Sequence, residues 1–160
     1  MLSPVRFSLI ICIAAAVLEG LLAGKDARQR LEQLRMPPYS PPFALWLVIG
    51  FLFYAMCFVI LRYLLSTGLV FSSQVFALVL TVVLLLANAF WSVLFFRWRD
   101  LRSSFVAFIP YTVVIAVLVA LLVSNYLFGA VLFMCYGIYL VYATWWGYRL
   151  WLLNDSKDPN

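Results

Sequence analysis

Histidine is absent from the 160-residue sequence and charge is scarce: 11% of residues are Asp, Glu, Lys or Arg, and only 6 are acidic. Without imidazole there is no histidine ligand for haem, no Ser-His or Cys-His nucleophile pair and none of the usual zinc sites. Cysteine is nearly as sparse. Cys12, Cys57 and Cys135 each lie inside an apolar run and lack metal-ligand spacing, so they are expected to be buried small hydrophobes. No metal and no cofactor is expected.

What fills the chain is apolar. Hydrophobic residues make up 67% of it, where a soluble domain is about half apolar and about a quarter charged. Continuous apolar runs near the length needed to cross a bilayer, about 20 residues, predict an all-α, polytopic integral membrane protein: a single five-helix transmembrane bundle over residues 1–153 with no soluble domain. The predicted spans are 5–24, 43–66, 73–96, 104–124 and 127–153, joined by a loop over 25–42 and by brief turns, with a disordered tail at 154–160. Short turns make consecutive helices antiparallel neighbours. Arg6 ahead of an apolar core and Ala14-Ala15-Ala16 fit a signal peptide, but the run continues to Leu22 and Ala23, which favours a retained helix. Ala16, Gly20 and Gly24 recur every four residues, a stripe that lets another helix approach closely, so the first helix is expected to pack centrally.

The net charge of +5 is spread beside the apolar runs rather than gathered into one patch, which points to membrane lipid headgroups and away from nucleic acid. With five spans, Arg6 and Arg62 fall on one side. Lys25, Arg28, Arg30, Arg35, Arg97, Arg99, Arg102, Arg149 and Lys157 fall on the other. Nine against two places the first loop and the C-terminus in the cytoplasm and the N-terminus outside, as in a bacterial inner-membrane protein.

A few residues interrupt the apolar pattern. Asn88, Trp91, Ser92 and Phe95 share one helical face, and an amide in lipid costs several kcal/mol, so Asn88 should face protein or a ligand. Glu19 is the most unusual residue. It either marks a functional site, where burial would keep it protonated as a donor, or lies near the helix end facing water or pairing with Arg30 or Arg35. Trp46, Gly50, Tyr54 and Cys57 line one face of the second span; Tyr136, Tyr139, Ala143 and Trp146 line one face of the fifth. Each stripe reads as bundle packing or as a pocket wall, and Gly50 opposite large aromatics leaves room for a flat ligand. Trp98, Tyr126, Tyr148 and Trp151 read as interfacial anchors. Pro37, Pro38, Pro41 and Pro42 stiffen the first loop, which is either an ordered lid with Tyr39 within it or a plain connector.

Taken together, Leu34-x-x-Pro37-x-Tyr39-x-Pro41-Pro42, Tyr54 and Asn88-x-x-Trp91-x-x-x-Phe95-Phe96 resemble the tryptophan-rich sensory protein family, also called the translocator protein or peripheral benzodiazepine receptor family. Trp151 and Asn154 resemble the Trp and terminal Asn of that family's fifth helix. The resemblance implies a five-helix bundle, often a homodimer, with a pocket under the first loop for porphyrins, sterol-like molecules and synthetic aromatic ligands. The sequence departs from the pattern where the loop Lys is Met36, the loop Trp is Tyr39 and the second-helix Trp is Gly50. In the fifth helix, Pro-Tyr-x-x-Trp reads Cys135-Tyr136-Gly137-Ile138-Tyr139, and Leu-Asn reads Trp146-Gly147. Tryptophans implicated in the family's porphyrin photochemistry are thereby missing or displaced, so porphyrin degradation is not expected. Leu140, Tyr142 and Arg149 miss the sterol-motif spacing by one residue.

The expected function is a membrane receptor or carrier for a flat apolar ligand, a tetrapyrrole, sterol-like molecule or isoprenoid, held between the second and fifth helices beneath the loop. Asn88, Tyr54 and Glu19 would orient it. Two alternatives stand beside it: an intramembrane isoprenoid isomerase or cyclase with Glu19 as catalytic acid, and a structural subunit using the small-residue stripe as its contact. The lack of His and of a second intramembrane carboxylate counts against the enzyme.

Overall fold

The computed structural model describes residues 3–68 and 72–155, and among these its regular secondary structure is helix alone, with no strand. The helices are α1 (Pro4–Ala23), α2 (Ala27–Glu32), α3 (Phe43–Ser66), α4 (Ser72–Ser92), α5 (Leu101–Val106), α6 (Phe108–Asn125) and α7 (Leu127–Asp155). α4 runs on through a π-helical turn, Val93–Arg97, closed by the Trp98 N–H on the Val93 carbonyl at 2.8 Å. Five segments are long and apolar enough to cross a membrane: α1, α3, α4 with its π turn, α5 with α6, and α7.

Helix ends follow local chemistry. Ser3 caps α1, Pro4 opens it and Gly24, at φ 81°, releases the chain in the left-handed region that suits glycine. Pro110 has no N–H to give the Val106 carbonyl four residues back, and the fourth span breaks there, at Ala107. Pro42, extended at φ −63° and ψ 153°, turns the first loop into α3.

α1 packs on α3 and α4, α3 on α7, α7 on α6 and α6 on α4, so the spans close a ring in the order first, second, fifth, fourth, third; α3 and α4 also touch across it. Phe53, Ile60, Leu84, Leu118 and Phe133 fill the core. The outward faces are equally apolar, with Leu21, Phe51, Ile138 and Val141 exposed, as suits helices whose solvent is lipid.

Several sequence expectations change here. α1 is peripheral, not central: it buries only Ser8, Cys12 and Ala15, while Ala16, Gly20 and Gly24 point outward and a Cβ at Gly20 would meet nothing within 4 Å. A small-residue stripe says that close approach is possible, not which face is used. Cys12 and Cys57 are buried, but Cys135 is exposed on the outside of the bundle. Tyr126 is a packing residue rather than an anchor, its ring stacked on Tyr63 at 3.9 Å. Any Cβ at Gly129 would lie 2.5 Å from the Tyr126 ring, so glycine is required there. Of the tail expected to be disordered, Asn154 and Asp155 belong to α7, and 156–160 lie outside the described residues.

Candidate functional site

Glu19, on α1, meets donors from two other helices. Its Oε2 accepts from the Tyr54 hydroxyl of α3 at 2.6 Å and from Asn88 Nδ2 of α4 at 2.8 Å; its Oε1 accepts from Ser92 Oγ at 3.2 Å. Asn88 and Ser92, one turn apart, reach it together because they share a face of α4. The pairing with Arg30 or Arg35 that one reading expects is not found among the described residues. Glu19 is half-buried and is held by three neutral donors. Arg30 is committed elsewhere, its guanidinium donating to the Phe96 carbonyl and lying 3.9 Å from Asp26.

Beside this cluster lies a half-open cavity of about 370 Å³, with Val83 and Phe90 on its exposed side. α3 contributes Trp46, Ile49, Gly50 and Phe53; α4 contributes Val83, Leu84, Ala87, Asn88, Phe90 and Trp91; α7 contributes Tyr136, Tyr139 and Leu140. The broken fourth span supplies Ala107, Phe108, Pro110, Tyr111 and Val114, and Glu19 is the only carboxylate among the described lining residues. The walls are fixed by contacts around them. Trp91 stacks on Phe95 at 4.8 Å and donates its indole N–H to the Ser104 carbonyl at 3.1 Å. The Tyr111 and Tyr136 hydroxyls lie 3.4 Å apart, and Phe53 sits 5.4 Å from the Tyr136 ring. At Gly50 a Cβ would meet nothing within 4 Å, so packing does not demand glycine; the space in front of it is open.

Of the residues singled out from the sequence, Trp46, Gly50, Asn88, Trp91, Tyr136, Tyr139 and Glu19 come together on this cavity. Three do not line it. Tyr54 sits behind, holding Glu19. Ala143 is buried in the core. Trp146 is buried against Trp46 at 4.8 Å and Phe95 at 6.1 Å. The helical stripe on α7 therefore splits: its N-terminal half faces the cavity, and its C-terminal half packs under the loop. Phe53, Phe108, Pro110 and Tyr111 were missed, and the one available signal was Pro110, a proline inside an apolar run.

The loop residues Pro37, Tyr39, Pro41 and Pro42 do not line the cavity either. Between loop and cavity sits a second apolar cluster of Leu31, Phe95, Trp146 and Leu150, with Trp46 and Trp91 shared by both. The loop is pinned to α7 at three places. Asn154 exchanges two hydrogen bonds with the Arg35 backbone at 3.0 and 3.1 Å, Tyr142 donates to the Tyr39 carbonyl at 2.8 Å, and the Trp146 indole donates to Ser40 Oγ at 2.9 Å. Tyr39 takes φ 63°, a left-handed conformation uncommon for a side-chain-bearing residue and held here by these contacts. The loop is therefore an ordered segment tied to α7, which both the lid and the connector reading allow.

Among the described residues, five helices long and apolar enough to cross a membrane stand around an aromatic cavity, which defines a polytopic membrane protein. The chain belongs to the TspO/MBR family, whose profile matches residues 8–152, nearly its whole length. Membership gives it the general role of a membrane receptor or carrier of that family, which binds small apolar ligands. Comparison with individually curated proteins finds no match.

Proposed function

We propose that the chain binds a flat or slender apolar molecule, a tetrapyrrole, sterol-like compound or isoprenoid, in the cavity between α3, α4, α6 and α7. The observation that carries this reading is the cavity itself: about 370 Å³, walled by aromatic and aliphatic side chains, with Glu19, Asn88 and a few tyrosines as the polar groups in its lining. Small-molecule sites run from roughly 300 to 1,000 Å³ and combine apolar walls with a few polar groups that fix orientation. A volume near the low end favours an isoprenoid or sterol-like skeleton over a full macrocycle. Asn88 keeps its side-chain carbonyl for a ligand donor while its amide N–H holds Glu19. The pinned loop closes the bundle end above Trp46 and Trp146, and the nine-to-two charge distribution supports a cytoplasmic position for that end.

Gly50→Leu tests the reading, because a Cβ there meets nothing within 4 Å and a branched side chain at this lining position takes up cavity space. Quenching of tryptophan fluorescence by protoporphyrin IX, cholesterol and geranylgeraniol would be titrated against native and variant protein in detergent. The expected result is binding of at least one probe by the native chain and loss of about a hundredfold or more in the variant, with an unchanged unfolding midpoint; about 2.7 kcal/mol corresponds to that factor. Equal affinity in both proteins would place the ligand outside this cavity.

A further inference from the structure

We propose that a second pocket, where the first loop meets the end of α4 and the start of α5, binds a phosphate group, with an anionic phospholipid headgroup as the source its position favours. The pocket measures about 290 Å³ and is lined by Arg30, Gln33 and Arg99 over the apolar walls of Phe96 and Leu101, with no carboxylate among the described lining residues. The nearby acids are already engaged or distant. Glu32 pairs with Arg28 at 3.0 Å, the Asp100 carboxylate accepts from the Ser103 hydroxyl and backbone N–H at 2.6 and 2.9 Å, and Asp26 reaches Arg30 only at 3.9 Å. Arg97 and Arg102 flank the site in sequence and add positive charge.

Arg30 carries the argument. Its guanidinium is anchored by the Phe96 carbonyl, its side chain keeps 27% of its surface open, and its Nε–H is closed off from water with no acceptor. An unmet buried donor on a charged group is costly. The open part of the fork lines the pocket together with Arg99, and guanidinium donors suit phosphate geometry. Arg99 brings the second charge from a left-handed backbone position, φ 56°, fixed where the Asp100 N–H returns to the Leu94 carbonyl at 3.0 Å. Asn154, whose amide is spent on Arg35 and Leu150, shapes the wall and donates nothing further to a ligand.

Position favours a lipid. The third and fourth spans end at Arg97 and begin at Leu101, so the pocket lies at the depth of headgroups, and exposed Trp98 beside it suits the same layer. This inference is independent of the ligand assigned to the central cavity.

The test is native mass spectrometry of the full chain released from detergent containing phosphatidylglycerol or phosphatidylcholine, with inorganic phosphate in a separate arm. The native chain is expected to retain phosphatidylglycerol in preference to phosphatidylcholine. Arg99→Gln, and Arg30→Gln where it folds, should weaken that retention about ten- to hundredfold, as expected when a hydrogen bond to a charged group is lost. Arg62→Gln, with the same charge change outside the pocket, should leave it unaltered. Binding of inorganic phosphate that displaces the lipid and is lost in Arg99→Gln would keep the anion site and assign it to a soluble phosphate. Equal loss in Arg62→Gln, or no preference between the two lipids in a folded native chain, overturns the proposal.

Discussion

The middle of the bundle and its loop end both set charge against apolar helices, and they satisfy it by different means. In the middle, the carboxylate of Glu19 collects three neutral donors from α3 and α4, and the polar atoms of three helices close on one another. At the loop end, Arg30 and Arg99 line a pocket with no acid in its described wall, and Arg30 keeps a donor unmet. The first arrangement pairs its donors with one carboxylate and ties three helices together beside a cavity, leaving the Asn88 carbonyl free. The second is incomplete and suits an incoming anion. The contrast follows from surroundings: a group held among apolar helices has no water to compensate it when unpaired, whereas a turn between spans has water and lipid charge within reach.

The largest effect expected from breaking this contrast is at Glu19. Glu19→Leu orphans the Tyr54, Asn88 and Ser92 donors at once, and each unmet donor costs about 1–3 kcal/mol, so the bundle should lose about 3 kcal/mol or more. Glu32→Leu removes an acid from an exposed i,i+4 pair with Arg28, where the cost is about 0.5 kcal/mol. Unfolding midpoints in detergent would compare the two. Similar losses would mean that the mid-bundle cluster does not hold the helices.

Next comes Asn88. Because its amide donates to Glu19, Asn88→Leu should lower stability by about 1–2 kcal/mol and also weaken ligand binding by about tenfold. Asn154→Leu, which frees the Arg35 backbone, should change affinity less and act on dissociation. Affinity and midpoint measured on the same preparations separate the roles, and equal affinity losses would show that Asn88 is not part of the ligand's surroundings.

How much of this was legible in the sequence depends on which force set each feature. The five spans were legible because lipid and core both demand apolar residues, so length alone marks them. Asn88, Trp91 and Ser92 were legible as one face because a lone amide in an apolar run must find company. Glu19's partner was not. Tyr54 lies 35 residues away, and a tyrosine among aromatics carries no mark of the acid it will meet. The fourth span's share of the cavity was hidden for a similar reason: Phe108 and Tyr111 look like any lipid-facing residues, and only the helix break at Pro110 separates them. The loop was read as stiff from its prolines, but its fixation comes from Tyr142, Trp146 and Asn154, contributed by a helix more than a hundred residues further on.

That fixation gives a smaller effect. Trp146→Phe keeps the ring against Trp46 but removes the bond to Ser40, worth about 1 kcal/mol. If the loop closes the cavity, ligand should leave about fivefold faster while association changes less, as is usual when contacts rather than encounter are altered. Replacing Pro37, Pro38, Pro41 and Pro42 by Ala should act in the same direction by loosening the free loop. Stopped-flow kinetics would give both rates, and an unchanged dissociation rate in folded protein would show that the pinned loop does not govern escape.

The smallest effect lies at Asp100, in the turn between spans, and it sharpens the comparison because it is the loop end's counterpart of Glu19. Its carboxylate caps α5 through the Ser103 hydroxyl and backbone N–H, and these donors hold its pKa below the usual aspartate value of 3.8. A depressed folded pKa means that the contribution is fully present above the unfolded value and is lost as pH falls through the folded one. The group is exposed, so screening keeps the effect small. Asp100→Ala should cost about 0.5 kcal/mol at neutral pH, the low end for loss of an N-cap, because the site is exposed. The gap between native and variant midpoints should narrow as the pH falls below about 4. Both glutamate and aspartate here are carboxylates held by neutral donors, so the difference between them isolates the surroundings. A loss at Asp100 as large as that at Glu19 would mean that burial among helices adds nothing to the same chemistry, and that the contrast between the two ends rests on charge placement alone.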